Sequence, residues 1–267
     1  MKQLTRIFTI CLSLLFTSAV YADEYVKIGA WNIENLGARD FGQNPKALAE
    51  HLHLAGVDVL ALEEIHDTDN NASTRTNAKL DQVFALLNQQ PGQSWEYVLF
   101  ANKDQTDISQ LCGVAWNKAK VSKVGNPFRI PVTDDPNDDF NSWDRHPHGV
   151  KFSVGSNKTD FVVIPVHMKS NVDGASVGRE QREVETRALV ARLTNVRSQF
   201  QDQDIIIIGD TNCLDANENA VTQFKQNGFK DLNDADLATF ETAAARRLTE
   251  SSCPETKRSS GLAGSIA

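Results

Sequence analysis

Cysteine, aromatic residues and basic charge are all scarce in this chain. Four cysteines are too few to frame a disulfide scaffold, so the fold must rest on apolar burial. A length of 267 residues suffices for that, as one large domain or two small ones. Long apolar runs are missing as well. The longest, residues 7–16, follows Lys2 and Arg6 and precedes Val20-Tyr21-Ala22. Too short to span a bilayer, it reads as the core of a secretory signal peptide, residues 1–22. A secreted or periplasmic protein without stable membrane association is expected.

Acidic residues outnumber basic ones 35 to 27, and loss of the leader's Lys2 and Arg6 takes the formal charge of −8 to about −10. Such a surface does not draw in polyanions from a distance, so a polyanionic substrate would be engaged locally, with a divalent cation. No glycine-rich loop ends in Gly-Lys-Ser/Thr, which excludes the phosphate cradle of nucleoside-triphosphate hydrolases. Cys11 leaves with the leader, and Cys112–Cys213 is the only pair inside well-patterned sequence. A disulfide, if one forms, is expected there.

What is present is a series of apolar strands that end in polar residues. Ile205-Ile206-Ile207-Ile208 has no polar alternation and reads as a strand buried on both faces, followed by Gly209-Asp210-Thr211-Asn212. On an extended segment Asp210 and Asn212 would point the same way, an ionised acceptor beside an amide donor, suited to a water, a metal or a phosphate oxygen. Further strands are expected near residues 26–34 and 57–62, then at 95–100, 113–116, 121–124, 149–154 and 161–166, where turn-separated spacing suggests antiparallel pairing. Helices are expected from Asn44-Pro45, from Asn77, over 179–200 as one long element, and over 218–226. The acidic run 134–139 reads as a solvated loop.

Asn32, Glu64, His167 and Asp210 with Asn212 all fall where a strand emerges. Singly, each has an ordinary reading as a turn residue, a solvated strand end or a core imidazole. In order, the segments Trp31-Asn32-Ile33, Leu62-Glu63-Glu64-Ile65, Arg145-His146-Pro147, Val166-His167-Met168-Lys169-Ser170 and Gly209-Asp210-Thr211-Asn212 resemble the endonuclease/exonuclease/phosphatase superfamily, which includes pancreatic-type deoxyribonuclease. The resemblance covers about residues 23–245 and implies an α/β four-layer sandwich, two packed mixed sheets flanked by helices. It implies hydrolysis of phosphate esters with Mg²⁺, Mn²⁺ and Ca²⁺ being the other candidates. Glu64 would be the main metal carboxylate, and Asn32 would help fix the metal or the phosphate. Arg145 would brace the acid shell or the phosphate and His167 would face the phosphate, while Asp210 would orient or deprotonate the attacking water and Asn212 would donate to the scissile phosphate.

Two departures accompany the likeness. His66 stands where nucleases of this family often carry an arginine, and the family's closing Asp-Arg-Ile and Ser-Asp-His segments are absent. Read one nucleotide earlier, degenerate codons for Arg247 to Pro254 can encode Pro-Asp-Arg-Ile-Phe-Val-Pro, so a frameshift near Ala245 is expected to have replaced the family's C-terminus by an unrelated tail, 246–267. The reading is an exported, monomeric, metal-dependent nuclease of DNA or RNA. The alternatives are a phospholipid or small phosphate-ester hydrolase and, because the closing residues are missing, a form with little activity.

Overall fold

The computed structural model describes residues 25–233, apart from 40, 72, 133–142 and 157, together with the pair 265–266. The segment expected to be a signal peptide, the acidic run 134–139 and all of the tail but that pair lie outside the described residues.

Among the described residues nine strands and five helices follow in the order β1 (Ile28–Leu36), α1 (Pro45–Ala55), β2 (Val59–Ile65), α2 (Ala78–Leu87), β3 (Trp95–Leu99), β4 (Leu111–Asn117), β5 (Ser122–Arg129), β6 (His148–Ser153), β7 (Asp160–His167), α3 (Ala175–Val190), α4 (Leu193–Phe200), β8 (Ile205–Asp210), α5 (Asn219–Gln226) and β9 (Ser265–Ile266). Two mixed sheets form, with orders β1-β2-β4-β3 and β5-β6-β7-β8-β9. Neighbouring strands β3–β4, β5–β6 and β6–β7 pair antiparallel, as their spacing suggests, whereas β1–β2 and β7–β8 are parallel across helical crossovers. The two-residue β9 extends the second sheet at Ile207 and Ile208.

Three apolar clusters account for the layers. Ala30, Val59, Val114 and Trp116 of the first sheet meet Val150, Phe152, Val163 and Ile208 of the second between the sheets. The outer face of the first sheet buries Leu52 of α1 and Leu80 and Phe84 of α2. That of the second buries Leu189, Val196 and Phe224 from α3, α4 and α5. The result is helix, sheet, sheet, helix, the expected four-layer α/β sandwich. Each fully buried Leu, Ile or Phe side chain contributes roughly 1.5–3 kcal/mol, so the interior apolar pattern decides the architecture.

Two expectations are corrected. The long helix over 179–200 is two helices, broken at Ala191–Arg192, and the break lets Leu189, Leu193, Val196 and Phe200 all join one core cluster. Cys112 and Cys213 are both free: Cys112 is buried between the sheets, while Cys213 packs against the cluster under α3 to α5. Burial pushes both thiols up, that of Cys213 to about 12.

Candidate active site

The expected residues meet at one end of the sandwich, where strands from both sheets stop. On the first sheet, the pairing of β1 with β2 shifts register between Asn32 and Leu36, and that of β2 with β4 shifts between Leu62 and Ile65. Glu34, Asn35 and Glu64 accordingly have left-handed φ values of 36°, 54° and 59°. These bulges re-aim the strand ends. Asn77 fixes them from behind. Its side-chain oxygen caps α2, while its amide nitrogen donates to the carbonyls of Leu36 at 2.8 Å and His66 at 2.7 Å.

On the second sheet no bulge is needed. His167 and Asp210 are register partners at the ends of β7 and β8. Gly209 (φ 146°) is required between Ile208 and Asp210, because a Cβ there would lie 2.1 Å from the Val166 carbonyl oxygen and 2.8 Å from Glu63 Oε1.

Asn32 joins the halves. Its amide nitrogen donates to Glu64 Oε1 at 2.8 Å and to Asp210 Oδ2 at 3.0 Å, so the two carboxylates face each other across one amide. The Asn32 oxygen accepts instead from the Glu34 backbone, and the Asn35 N–H donates to Glu64 Oε2. His167 Nε2 lies 3.8 Å from Glu64 Oε1 and 4.0 Å from Asp210 Oδ2. Asn212 does not continue an extended segment beside Asp210. At φ 53° it turns back, its N–H donating to Asp210 Oδ1 and its amide to the Met168 carbonyl. Arg145 reaches the same carbonyl at 3.4 Å. It also lines a cleft of about 540 Å³ with Asn102, Lys103, Asp104, Asp107 and Asp144, a lining that includes neither Glu64 nor Asp210.

Charge and burial set the protonation states. Burial, with the Arg145 guanidinium nearby, pushes His167 down to about 4, so its imidazole is neutral at neutral pH. Glu63 is fully buried beneath Gly209, and burial plus the charges of Asp210 and Glu64 lift its carboxyl well above the usual range. Both Glu63 oxygens, Arg145 Nε and His167 Nδ1 are buried with no hydrogen-bond partner among the described residues.

The donor set fits a hard divalent cation. Glu64 and Asp210 offer carboxylate oxygens on facing sides, and among the described residues no cluster of three His, Cys, Asp or Glu encloses a metal. Carboxylate oxygens are the donors that hard divalent cations take.

Sequence reading found the strand-end residues by their polar character after apolar runs, but missed Glu63, whose neighbour Glu64 explained the segment already. It also missed Arg182 and Glu218. Arg182 is fully buried in α3, its Nε and Nη2 donating to the Glu218 carboxylate at 2.9–3.0 Å. A charged residue in a mixed amphipathic pattern carries no signal of such burial.

The family model described as Endonuclease/Exonuclease/phosphatase family matches residues 29–230. The chain is 24% identical over 204 residues to deoxyribonuclease-1-like 2 of Mus musculus, covering 75% of this chain but only 64% of that protein's length. Among solved structures, the human Nocturnin catalytic domain with bound sulfate superposes with a TM-score of 0.55 at 14% identity, over 90% of this chain and 81% of that one. A mannosyl-6-phosphatase of Bacteroides thetaiotaomicron gives 0.54 at 14%, over 79% and 74%. An endonuclease/exonuclease/phosphatase family protein from the same organism gives 0.56 at 16%, over 78% and 70%. With a shared sandwich, facing carboxylates at its end and a family match spanning most of its length, this chain belongs to the endonuclease/exonuclease/phosphatase family.

Proposed function

We propose that this chain is a divalent-metal-dependent phosphodiester hydrolase acting on DNA or RNA. The observation that carries the reading is the approach of Glu64, Asp210 and His167, drawn from three strands of two sheets, around the single Asn32 amide. Similarity to the mouse deoxyribonuclease-like protein supports nucleic acid as the substrate.

Glu64 and Asp210 would hold the cation, which when bound supplies charge neutralisation at the phosphoryl oxygens. Asn32 keeps the two carboxylates aimed at each other. Asp210 accepts the proton of the attacking water as the new P–O bond forms and the bond from phosphorus to the leaving oxygen breaks, that oxygen taking its proton from solvent. His167, neutral at working pH, offers one N–H to a phosphate oxygen without cancelling the carboxylate charge that the cation needs. Arg145 balances the charge that builds on the phosphate, and Asn212, once released from the Met168 carbonyl, donates to it.

Export is part of the proposal, resting on residues 1–22; among the described residues no helix is long and apolar enough to cross a membrane. The test treats plasmid DNA, RNA, phospholipid vesicles and a small phosphate diester in parallel, with Mg²⁺, Mn²⁺, Ca²⁺ or EDTA. Nucleic acid should be cut with a divalent cation and spared in EDTA. Glu64→Ala and Asp210→Asn should each lower turnover by about 10³-fold or more, as removal of one member of a catalytic unit does. Asp210→Asn should also melt higher than the parent, since it removes one of two carboxylates that share the Asn32 amide. Cleavage of lipid alone would overturn the nuclease reading, and no cleavage of any ester would overturn the hydrolase reading.

A further inference from the structure

Behind the second-sheet half of the site lies a buried ionic network. Arg182 Nε and Nη2 engage both oxygens of Glu218 at 2.9–3.0 Å, and its Nη1 donates to the Lys169 carbonyl at 2.8 Å and to Asn171 Oδ1 at 3.1 Å. Glu218, itself 5% exposed, also accepts from the Leu214 N–H at 2.7 Å. One guanidinium thus grips the loop after β7, and one carboxylate grips the loop after β8. The loops are then tied to each other: Asn171 donates to the Asn212 carbonyl at 3.0 Å, and Asn212 in turn holds Met168 and Asp210. Glu185 of α3 adds a third point, accepting from the Lys169 N–H at 3.0 Å. Gly178 leaves the room that this requires, for a Cβ there would stand 2.8 Å from both Arg182 Nη1 and Asn171 Oδ1.

Stability does not account for the pair. Desolvating two charges costs about as much as their attraction returns, and apolar replacements of buried ion pairs are often neutral or stabilising. What an apolar pair cannot do is donate in a fixed fork to a named carbonyl and a named amide oxygen.

We propose that Arg182 and Glu218 are positioning residues: together they lock the loops that follow β7 and β8, and so hold His167, Asp210 and Asn212 around the reacting phosphate. The inference rests on the hydrolase reading above. Glu64 and Asn32, on the other sheet, bond to neither Arg182 nor Glu218, and Arg145, in the segment before β6, meets the network only at the Met168 carbonyl. Substrate grip should therefore survive loss of the pair while the chemical step does not.

The experiment compares the parent with the double variant Arg182→Met/Glu218→Met and with the single variant Arg182→Lys, measuring kcat, KM and thermal melting on whichever ester the parent cleaves. The double variant should melt within about 4 °C of the parent, yet lose about 10²-fold in kcat, the cost of a misplacement near 1 Å, with KM changed less than about threefold. Arg182→Lys, which keeps the charge beside Glu218 but not the fork, should recover part of kcat. A double variant that melts cooperatively and keeps kcat within about threefold of the parent overturns the inference alone. So does a fall in kcat that only follows the melting midpoint through both variants. Should the double variant fail to fold, Arg182→Lys decides: full parental kcat overturns the inference, and a lowered kcat at parental melting supports it. A parent that turns over no ester removes the hydrolase reading and this inference with it.

Discussion

The two halves of the site are held by different devices. On the first sheet, position is stored in the backbone: bulges with left-handed Glu34, Asn35 and Glu64, braced by the neutral amide of Asn77. On the second, β7 and β8 run in regular register to their ends, and position is stored in side chains, chiefly Arg182, Glu218 and Glu185. The difference follows from what each half must present. Glu64 has to offer a carboxylate held only by neutral donors, and a guanidinium packed beside it would compete for the charge that a cation needs. A bulge and an amide position it without that competition, at roughly 1–3 kcal/mol for each strained residue. The loops behind His167 and Asp210 carry their ion pair away from the facing carboxylates, where it does no such harm.

Three substitutions probe that contrast. The largest effect is expected at Gly209→Ala, because the strand has no room for a Cβ against the Val166 carbonyl and the backbone sits at φ 146°. A loss of about 3 kcal/mol or more in denaturant midpoint analysis is expected; a loss under about 1 kcal/mol would show that the second half is as pliable as a loop. Next comes Glu185→Gln. Burial lifts this carboxyl from 4.5 to about 7, so the folded state keeps a proton that the unfolded chain has released, and stability falls as pH rises from about 4.5 to about 7. Gln cannot ionise and can still accept from the Lys169 N–H. Melting curves should flatten across that window, with the variant ahead at pH 8 by up to about 3 kcal/mol, and parallel curves for the two proteins would refute the assignment. The smallest effect is expected at Glu34→Gly, where relief of a left-handed side chain outweighs glycine's extra entropy by about 0.5 kcal/mol. A clear loss of stability there would mean that the bulge is fixed by the side chain and not by the backbone.

Much of the fold was legible because period and burial coincide. Ile205 to Ile208 reads as a buried strand and is one, and the polar residues that end such runs, Glu64, His167 and Asp210, are the ones gathered at the sandwich end. Three things were hidden. The break at Ala191–Arg192 leaves the apolar spacing of 179–200 unchanged, so only packing against the sheet shows it. The left-handed turn at Asn212 cannot be told from an extended segment by residue type, and it sends the amide to Met168. Arg182 and Glu218 lie in different helical segments, and their meeting is a property of how α3 lies on α5, to which composition is blind. Cysteine spacing was no guide either, since Cys112 lies in the inter-sheet core and Cys213 outside it.

The pairing of His167 with Asp210 as register partners in β7 and β8 has an evolutionary corollary. Their backbone separation is set by ladder hydrogen bonds, and the crossover through α3 and α4 bears on the pair only through Arg182 and Glu185. Extra turns, insertions or a new ligand-contacting loop that spare Arg182 and Glu185 can accumulate in that crossover without moving imidazole from carboxylate, so the lineage is free to remodel what it recognises while its chemistry stands still. Deleting a single residue within Ile205–Asp210 is another matter: every side chain beyond the cut changes face, and the acid turns away from its partner.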